Sequence, residues 1–133
     1  MNEEKNKNNF SLRARINSST HAWRGVGILL KTSHNIWAGI VTSLLAIYLG
    51  VILRISSTEW LFLIFSIGLV FITEAINSAI EIDIDLTSPE YHPYARNTKD
   101  VAAGAVLLST ILSIIVALVI FFPKIFLPYC PFC

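Results

Sequence analysis

The sequence of 133 residues is 54% hydrophobic, carries only 14% charged residues and has a formal net charge of +1 at pH 7. A soluble domain has roughly 25% charged residues, so this composition excludes an ordinary soluble domain and indicates one integral membrane domain. Both cysteines, Cys130 and Cys133, lie at the C-terminal end, which excludes a disulfide framework in the core. Their C-x-x-C pair has no second ligand pair, so residues 127–133 are interpreted as a simple tail.

The N-terminal part is predicted to divide into a tail and a surface helix. Residues 1–9 are polar and rich in asparagine, and we expect them to be disordered. Residues 10–31 mix arginine and lysine with tryptophan and aliphatic side chains, which is typical of an amphipathic segment on an anionic leaflet. The polar residues 17–20 are predicted to interrupt it, and one of them to cap a helix from His21 to Leu30.

Long apolar runs predict transmembrane helices at about residues 36–53, 59–86 and 100–122. The second run continues into acidic residues, so its C-terminal end is expected to project into water. We therefore expect an all-α membrane protein, with an N-terminal amphipathic surface helix plus three transmembrane helices, and a membrane domain over residues 10–126. Because one protomer of this size has little interior in which to bury polar groups, we also expect a homo-oligomer.

Capping signals mark the expected ends of the second span. A polar link at residues 54–59 joins it to the first span, and Ser57 or Thr58 is the expected N-cap. Ser88 and Pro89 are expected to end the helix, because the residue before a proline is disfavoured in the α conformation.

The third span carries its own signals. Residues 90–98 are expected to form a loop, and Asn97 is the predicted N-cap, which would place Asp100 at the third helical position. Pro123 is the predicted stop, since proline interrupts the hydrogen bonds of a helix interior.

Basic residues are distributed unequally between the two sides of the predicted spans. By the positive-inside rule the richer side faces the cytoplasm, so the N-terminus, the second loop and the acidic end of the second span are expected there. The basic residues on that side are Lys5, Lys7, Arg13, Arg15, Arg24, Lys31, Arg96 and Lys99, whereas Arg54 and Lys124 lie on the other side.

Four polar residues of the second span fall on one narrow face of a helix. They are Glu74, Asn77, Glu81 and Asp85, at spacings of i, i+3, i+7 and i+11. Ionisable side chains at membrane depth are costly, so they are functional candidates. Glu81 and Asp85, near the water boundary, suit Mg²⁺. Glu74 lies deeper, where it can take a proton from a hydroxyl whose lipid tail stays in the membrane.

Neighbouring residues extend this candidate site. Asn77 can orient either carboxylate, and Lys99 is predicted at the start of the third span, where free backbone N–H groups attract phosphate. A base, a metal site and a phosphate-binding lysine at one interface are typical of phosphoryl transfer. The sequence contains no nucleotide motif of the soluble kinase classes. From these residues alone, a polar stripe that serves helix association or ion passage stays an open alternative.

Five short segments carry a more specific pattern. They are EAINSAIE at residues 74–81, DLTSPEYHP at 85–93, KDVAAGAVLL at 99–108, STEWLFL at 57–63 and FFPKI at 121–125. The first three resemble the bacterial integral-membrane diacylglycerol kinase family, and the last two are similar to its undecaprenol kinase branch. The resemblance covers residues 20–126, without gaps between the motifs.

The resemblance implies a homotrimer of three-span protomers in a bacterial inner or plasma membrane. It implies Mg²⁺-dependent transfer of phosphate from ATP to a lipid alcohol, at sites shared between neighbouring protomers. Undecaprenol is the first expected acceptor and diacylglycerol the second. The implied partners are ATP, the lipid alcohol, the bilayer and further copies of the chain, with no nucleic acid.

The resemblance also assigns roles to residues at matching positions. Glu74 would be the catalytic base and Asn77 its neighbour, while Glu81 would hold the metal. The residues that would bind the nucleotide are Lys99, Asp100, Glu81 and Asp85, with Lys99 at the phosphates.

One position departs from the family pattern. The family often has a second metal-binding Glu two residues before an Asn; here Asn35 fits, but Ser33 stands at the position of that Glu. A serine hydroxyl is a weak neutral ligand, so we expect weaker metal or nucleotide binding. His34 is a candidate to compensate. This departure supports the alternative function, a catalytically lapsed homologue that acts as a membrane scaffold or partner subunit.

Overall fold

The computed structural model describes residues 12–126, and side chains from Ser19 onward. The described part contains helices and no strand, so the predicted all-α class is confirmed. The predictions for residues 1–9 and 127–133, with the C-x-x-C pair, lie outside the described residues. The helices are α1 (Leu12–Thr32), α2 (Asn35–Ile52), α3 (Ser57–Thr87) and α4 (Pro93–Phe126).

Helices α2, α3 and α4 are long and apolar enough to cross a membrane, as predicted. They contain 18, 31 and 34 residues, which at 1.5 Å per residue correspond to about 27, 46 and 51 Å. The hydrocarbon core of a bilayer is about 30 Å thick, so α3 and α4 extend beyond it. Many large apolar side chains on these helices are exposed, Phe65 and Val101 among them, which suits contact with lipid.

The central helix is α3, which packs mainly along α4 and more lightly against α2 and α1. The buried apolar cluster lies where α2 ends and α3 begins, and it consists of Ile55, Leu63, Ile120 and Phe121. Helix α1 lies beside the other half of α3, where both helices line one cleft. The two ends of α3 are therefore held differently, one by an apolar cluster and the other by α1 and polar contacts.

A Schellman motif ends α2 and turns the chain toward α3. The Ile55 N–H donates to the Gly50 carbonyl at 3.1 Å, and the Arg54 N–H donates to the Val51 carbonyl at 3.3 Å. Arg54 has a φ of 49°, in the left-handed region that favours glycine. Gly50 is needed for close packing, because a Cβ added there would lie 2.9 Å from Trp60 Cη2.

A capping box begins α3, with Ser56 as the N-cap. The Ser56 N–H donates to Glu59 Oε2 at 2.6 Å, and the Glu59 N–H donates to Ser56 Oγ at 3.3 Å. The prediction of Ser57 or Thr58 as the cap is therefore wrong, because Ser56 is the residue with the extended backbone that a cap requires. Lys124 Nζ lies 3.3 Å from Glu59 Oε1 and ties the end of α4 to this cap.

The loop between α3 and α4 is shorter than predicted. Helix α3 ends at Thr87 with Ser88 as its C-cap, as expected, but α4 begins at Pro93. The prediction of a loop over residues 90–98 is wrong from Pro93 onward. Proline suits the first position of a helix, since its missing N–H would have no intrahelical partner there.

Two predicted interruptions are also absent. Helix α1 runs unbroken through residues 17–20, because hydroxyl side chains disfavour a helix only weakly. Helix α4 continues past Pro123 to Phe126. A proline in the last turn removes only one backbone hydrogen bond, and the ion pair of Lys124 holds that turn to α3.

Candidate active site

The polar residues of α3 form one line, whose burial decreases toward the C-terminal end of the helix. Glu74 and Asn77 are only 4% and 6% exposed, Glu81 is half-buried and Asp85 is exposed. Asn77 Nδ2 donates to Glu81 Oε1 at 3.0 Å, as the spacing of four residues permits. The line therefore runs from a carboxylate inside the protein to a carboxylate in water.

The buried end of the line is fixed by a residue from outside α3. Ser33 Oγ donates a hydrogen bond to Glu74 Oε1, across 41 positions of sequence. Ser33 lies at the junction of α1 and α2, and its backbone N–H donates to the Leu29 carbonyl at 3.0 Å. A buried carboxyl group needs hydrogen-bond partners, so this contact satisfies one oxygen and holds the side chain in its place.

The solvated end of the line is joined to α4 by an ion pair. Lys99 Nζ lies 2.5 Å from Asp85 Oδ1, so the predicted lysine and the last carboxylate of the line are brought together. Because α4 begins at Pro93, Lys99 belongs to its second turn. The prediction that Lys99 lies beside the free N–H groups of the helix start is therefore wrong. Any attraction of Lys99 for phosphate comes from its own ammonium group and not from the start of the helix.

The two other residues predicted at the start of the third span occupy helical positions. Asn97 is not a cap, and instead His92 Nδ1 accepts from the Tyr94 N–H at 3.3 Å near the first turn. Asp100 is exposed, and its Oδ2 lies 3.8 Å from Arg96 Nε. The predicted cap and third-position roles are thus wrong, whereas the role of Asp100 in nucleotide binding stays a prediction.

Oxygen donors for a metal are few but suitable. In the described part of the chain, no three His, Cys, Asp or Glu side chains converge on one point. Asn77 Oδ1 is buried without a hydrogen-bond partner, and it belongs to the side chain that holds Glu81. Amide and carboxylate oxygens suit Mg²⁺, which needs only one or two carboxylates when phosphates and water complete its shell. These residues fit a Mg²⁺ ion whose remaining ligands are phosphate oxygens and water.

A cleft of about 370 Å³ lies beside Glu74, between α2 and α4. Its walls are mostly apolar, with Ile36, Phe71 and Leu107 among them, and Glu74 is the carboxylate in its lining. Such a cleft can accept a hydrocarbon chain and bring a polar head group to the acid.

Comparison with known proteins identifies a family for the chain. The family model described as prokaryotic diacylglycerol kinase matches residues 20–121. The chain belongs to the prokaryotic diacylglycerol kinase family. It is a membrane protein of a lipid kinase family, as the sequence motifs and the three long apolar helices had indicated.

Individual members of the prokaryotic diacylglycerol kinase family are similar over most of the chain. An undecaprenol kinase of Bacillus subtilis (strain 168) is 35% identical over 108 residues, which cover 81% of this chain and 88% of that protein. A diacylglycerol kinase of Escherichia coli (strain K12) is 31% identical over 100 residues, covering 75% and 82%. A diacylglycerol kinase of Synechocystis is 36% identical over 100 residues, covering 74% of this chain but only 57% of that protein.

Sequence reasoning on this diacylglycerol kinase family member missed two features of the site. No local sequence pattern predicts the contact of Ser33 with Glu74, because that contact depends on how α1, α2 and α3 pack against one another. The unpaired Asn77 oxygen did have a signal. Asn77 lies four residues before Glu81, so its amide nitrogen can donate to the Glu81 carboxylate. Its amide oxygen is then left without a hydrogen-bond partner.

Proposed function

We propose that this protein is an ATP-dependent lipid kinase, which transfers the γ-phosphate of MgATP to the hydroxyl of a membrane lipid. The observation that carries this proposal is the polar line of α3, with buried Glu74 beside an apolar cleft and Lys99 at the solvated end. Undecaprenol is the first acceptor that we propose and diacylglycerol the second. The longer match to the undecaprenol kinase, 108 residues against 100, supports that order.

In the proposed reaction the lipid chain lies in the apolar cleft and its hydroxyl group meets Glu74. The Glu74 carboxylate takes the hydroxyl proton while the lipid oxygen forms a bond to the γ-phosphorus of ATP. The bond between that phosphorus and the oxygen bridging it to the β-phosphate breaks, and ADP leaves with the bonding electrons. The products are the phosphorylated lipid and ADP, and Glu74 later gives its proton to water.

The other residues of the line act on the phosphates. Lys99 offers a positive charge to the triphosphate. The Asp85 carboxylate holds the Lys99 ammonium group at the solvated end of α3. Glu81 and Asn77 Oδ1 would hold Mg²⁺. When bound, the metal neutralises phosphate charge, which accumulates as the transfer proceeds.

The proposal includes an orientation and an assembly. The basic residues that flank the spans favour a cytoplasmic N-terminus and a site that opens to the cytoplasm of a bacterium, where ATP is available. A homotrimer with sites shared between protomers is proposed from the family resemblance and the small interior of one chain. Light scattering of the purified protein, corrected for bound detergent, measures this assembly directly.

The first experiment measures transfer from labelled ATP to undecaprenol and to diacylglycerol in parallel, with purified protein in mixed micelles and excess Mg²⁺. We expect label in lipid, with undecaprenol preferred. A preference for diacylglycerol would correct the acceptor and keep the kinase. Label in neither lipid, with the oligomer intact, would overturn the kinase and favour the lapsed homologue.

A matched pair of substitutions tests the base. In Glu74→Gln the amide oxygen can still accept the bond from Ser33, so the fold is kept while the base is lost. We expect kcat to fall by a factor of about 10² to 10⁴, the usual contribution of a general base. Glu59→Gln makes the same change at the opposite end of α3 and should leave transfer unchanged. Full transfer by Glu74→Gln would remove this residue from the mechanism.

A further inference from the structure

The environment of Glu74 depends on one donor. Among the side chains described, Ser33 is the group that donates a hydrogen bond to this carboxylate, which is 4% exposed. The contact goes to Glu74 and not to Glu81, although Ser33 stands where the family pattern has a metal-binding Glu. The Ser33 hydroxyl group therefore donates its hydrogen bond to the proposed base.

The junction that carries Ser33 is itself held in place. The Ser33 N–H donates to the Leu29 carbonyl at 3.0 Å, and Trp37 Nε1 donates to the Leu30 carbonyl at 3.1 Å. Residues on both sides of the turn are therefore tied to the last turn of α1. A hydroxyl on such a fixed backbone can hold a carboxylate in one orientation, because neither partner is free to move away.

We propose that Ser33 is a positioning residue for Glu74 rather than a metal ligand. The inference rests on the proposed kinase function. By occupying Oε1, the Ser33 hydroxyl fixes the rotation of the carboxylate and directs its other oxygen to the lipid hydroxyl. Because the hydroxyl is neutral, Ser33 does this without adding a second negative charge beside the phosphates.

This role predicts a change in the rate of the chemical step. In Ser33→Ala, kcat should fall about 10- to 100-fold. This factor corresponds to the loss of one hydrogen bond to a charged group. The KM for ATP and the Mg²⁺ concentration for half-maximal rate should stay unchanged, since in this proposal Ser33 contacts Glu74 and neither ligand. Ser33→Thr keeps the hydroxyl and should restore most of the rate.

Ser109→Ala is the matched control. Ser109 is a buried serine that, like the half-buried Ser33, bonds to a side chain of α3, with its Oγ 2.8 Å from Thr73 Oγ1, one residue before Glu74. If loss of a buried hydroxyl merely loosened the helices, both alanine variants would lose rate. We expect Ser109→Ala to keep the wild-type kcat.

A double-mutant cycle separates positioning from structural support. In Glu74→Asp the carboxylate is one methylene shorter and cannot reach the position that Ser33 holds. Adding Ser33→Ala to that variant should therefore change kcat little, whereas independent effects would multiply. If Ser33→Ala fails to fold, Ser33→Cys keeps a group of similar shape with a weaker donor, and an unchanged kcat in that variant would overturn the inference.

The outcomes are distinguishable. No transfer by the wild type to either lipid overturns the kinase proposal and this inference with it. Transfer by the wild type with an equal kcat in Ser33→Ala overturns the inference alone. A Ser33→Ala variant whose rate is restored by high Mg²⁺ would make Ser33 a metal ligand, which also overturns it.

Discussion

Replacing Gly50 with alanine tests the packing at the end of the bundle opposite to the candidate site. The added Cβ would lie 2.9 Å from Trp60 Cη2, and 3.1 Å from both Trp60 Cζ2 and Ile55 Cδ1. Ile55 belongs to the buried cluster and Trp60 packs against it, so neither side chain can withdraw freely. Overpacking of this kind lowers the free energy of unfolding by about 1–3 kcal/mol.

A second glycine of α2 provides the control. A Cβ added at Gly39 would lie 3.4 and 3.8 Å from the Phe71 ring, which is ordinary contact. Alanine favours the helix over glycine by about 1 kcal/mol at either position, so the difference between the two variants isolates the packing cost. Trp60→Phe removes the two indole atoms that the added methyl group meets, and should reduce the cost of Gly50→Ala.

The assay is unfolding in dodecyl maltoside micelles with increasing sodium dodecyl sulfate, followed by far-ultraviolet circular dichroism at one protein concentration. We expect the midpoint of Gly50→Ala to fall below that of Gly39→Ala. Equal midpoints for the two variants would refute the packing argument. So would a Gly50→Ala penalty that is the same with phenylalanine at position 60.

Three further predictions concern the turn, the nucleotide and the lipid. Arg54→Gly should raise the free energy of unfolding by up to about 1 kcal/mol in the same titration, because glycine adopts the left-handed conformation without strain. Lys99→Met should raise the KM for ATP about tenfold in a transfer assay, and an unchanged KM would remove Lys99 from the nucleotide site. Ala38→Phe places a ring in the cleft beside Glu74, so the KM for the lipid should rise while that for ATP stays the same. Equal lipid KM values would contradict the proposed position of the chain.

The spans were predictable because the bilayer imposes a strong constraint. A helix must place about 20 apolar residues in the hydrocarbon core, and that requirement is visible in the sequence without knowledge of the fold. The ends were less predictable, since they depend on which of several polar residues forms the cap. Ser56 rather than Ser57 or Thr58 caps α3, and the last helix begins at Pro93, before the predicted cap Asn97.

The candidate site divides in the same way. The line from Glu74 to Asp85 follows from helical periodicity within one segment, so it could be derived from spacing. The pair of Lys99 with Asp85 also follows once a short loop joins α3 to α4. The bond of Ser33 to Glu74 could not be derived, because it depends on the angle between α1, α2 and α3.

The unequal construction of the two ends of α3 has a consequence for motion. At the capped end, interlocking apolar side chains and a salt bridge must be disrupted together, so opening is rare. At the other end, exposed polar contacts such as Lys99–Asp85 can exchange with substrate or water. Local opening free energies should therefore decrease along the helix, and hydrogen exchange would reveal the gradient. A bulky lipid could then enter and leave by loosening one end of the bundle, while the opposite end keeps the three spans assembled.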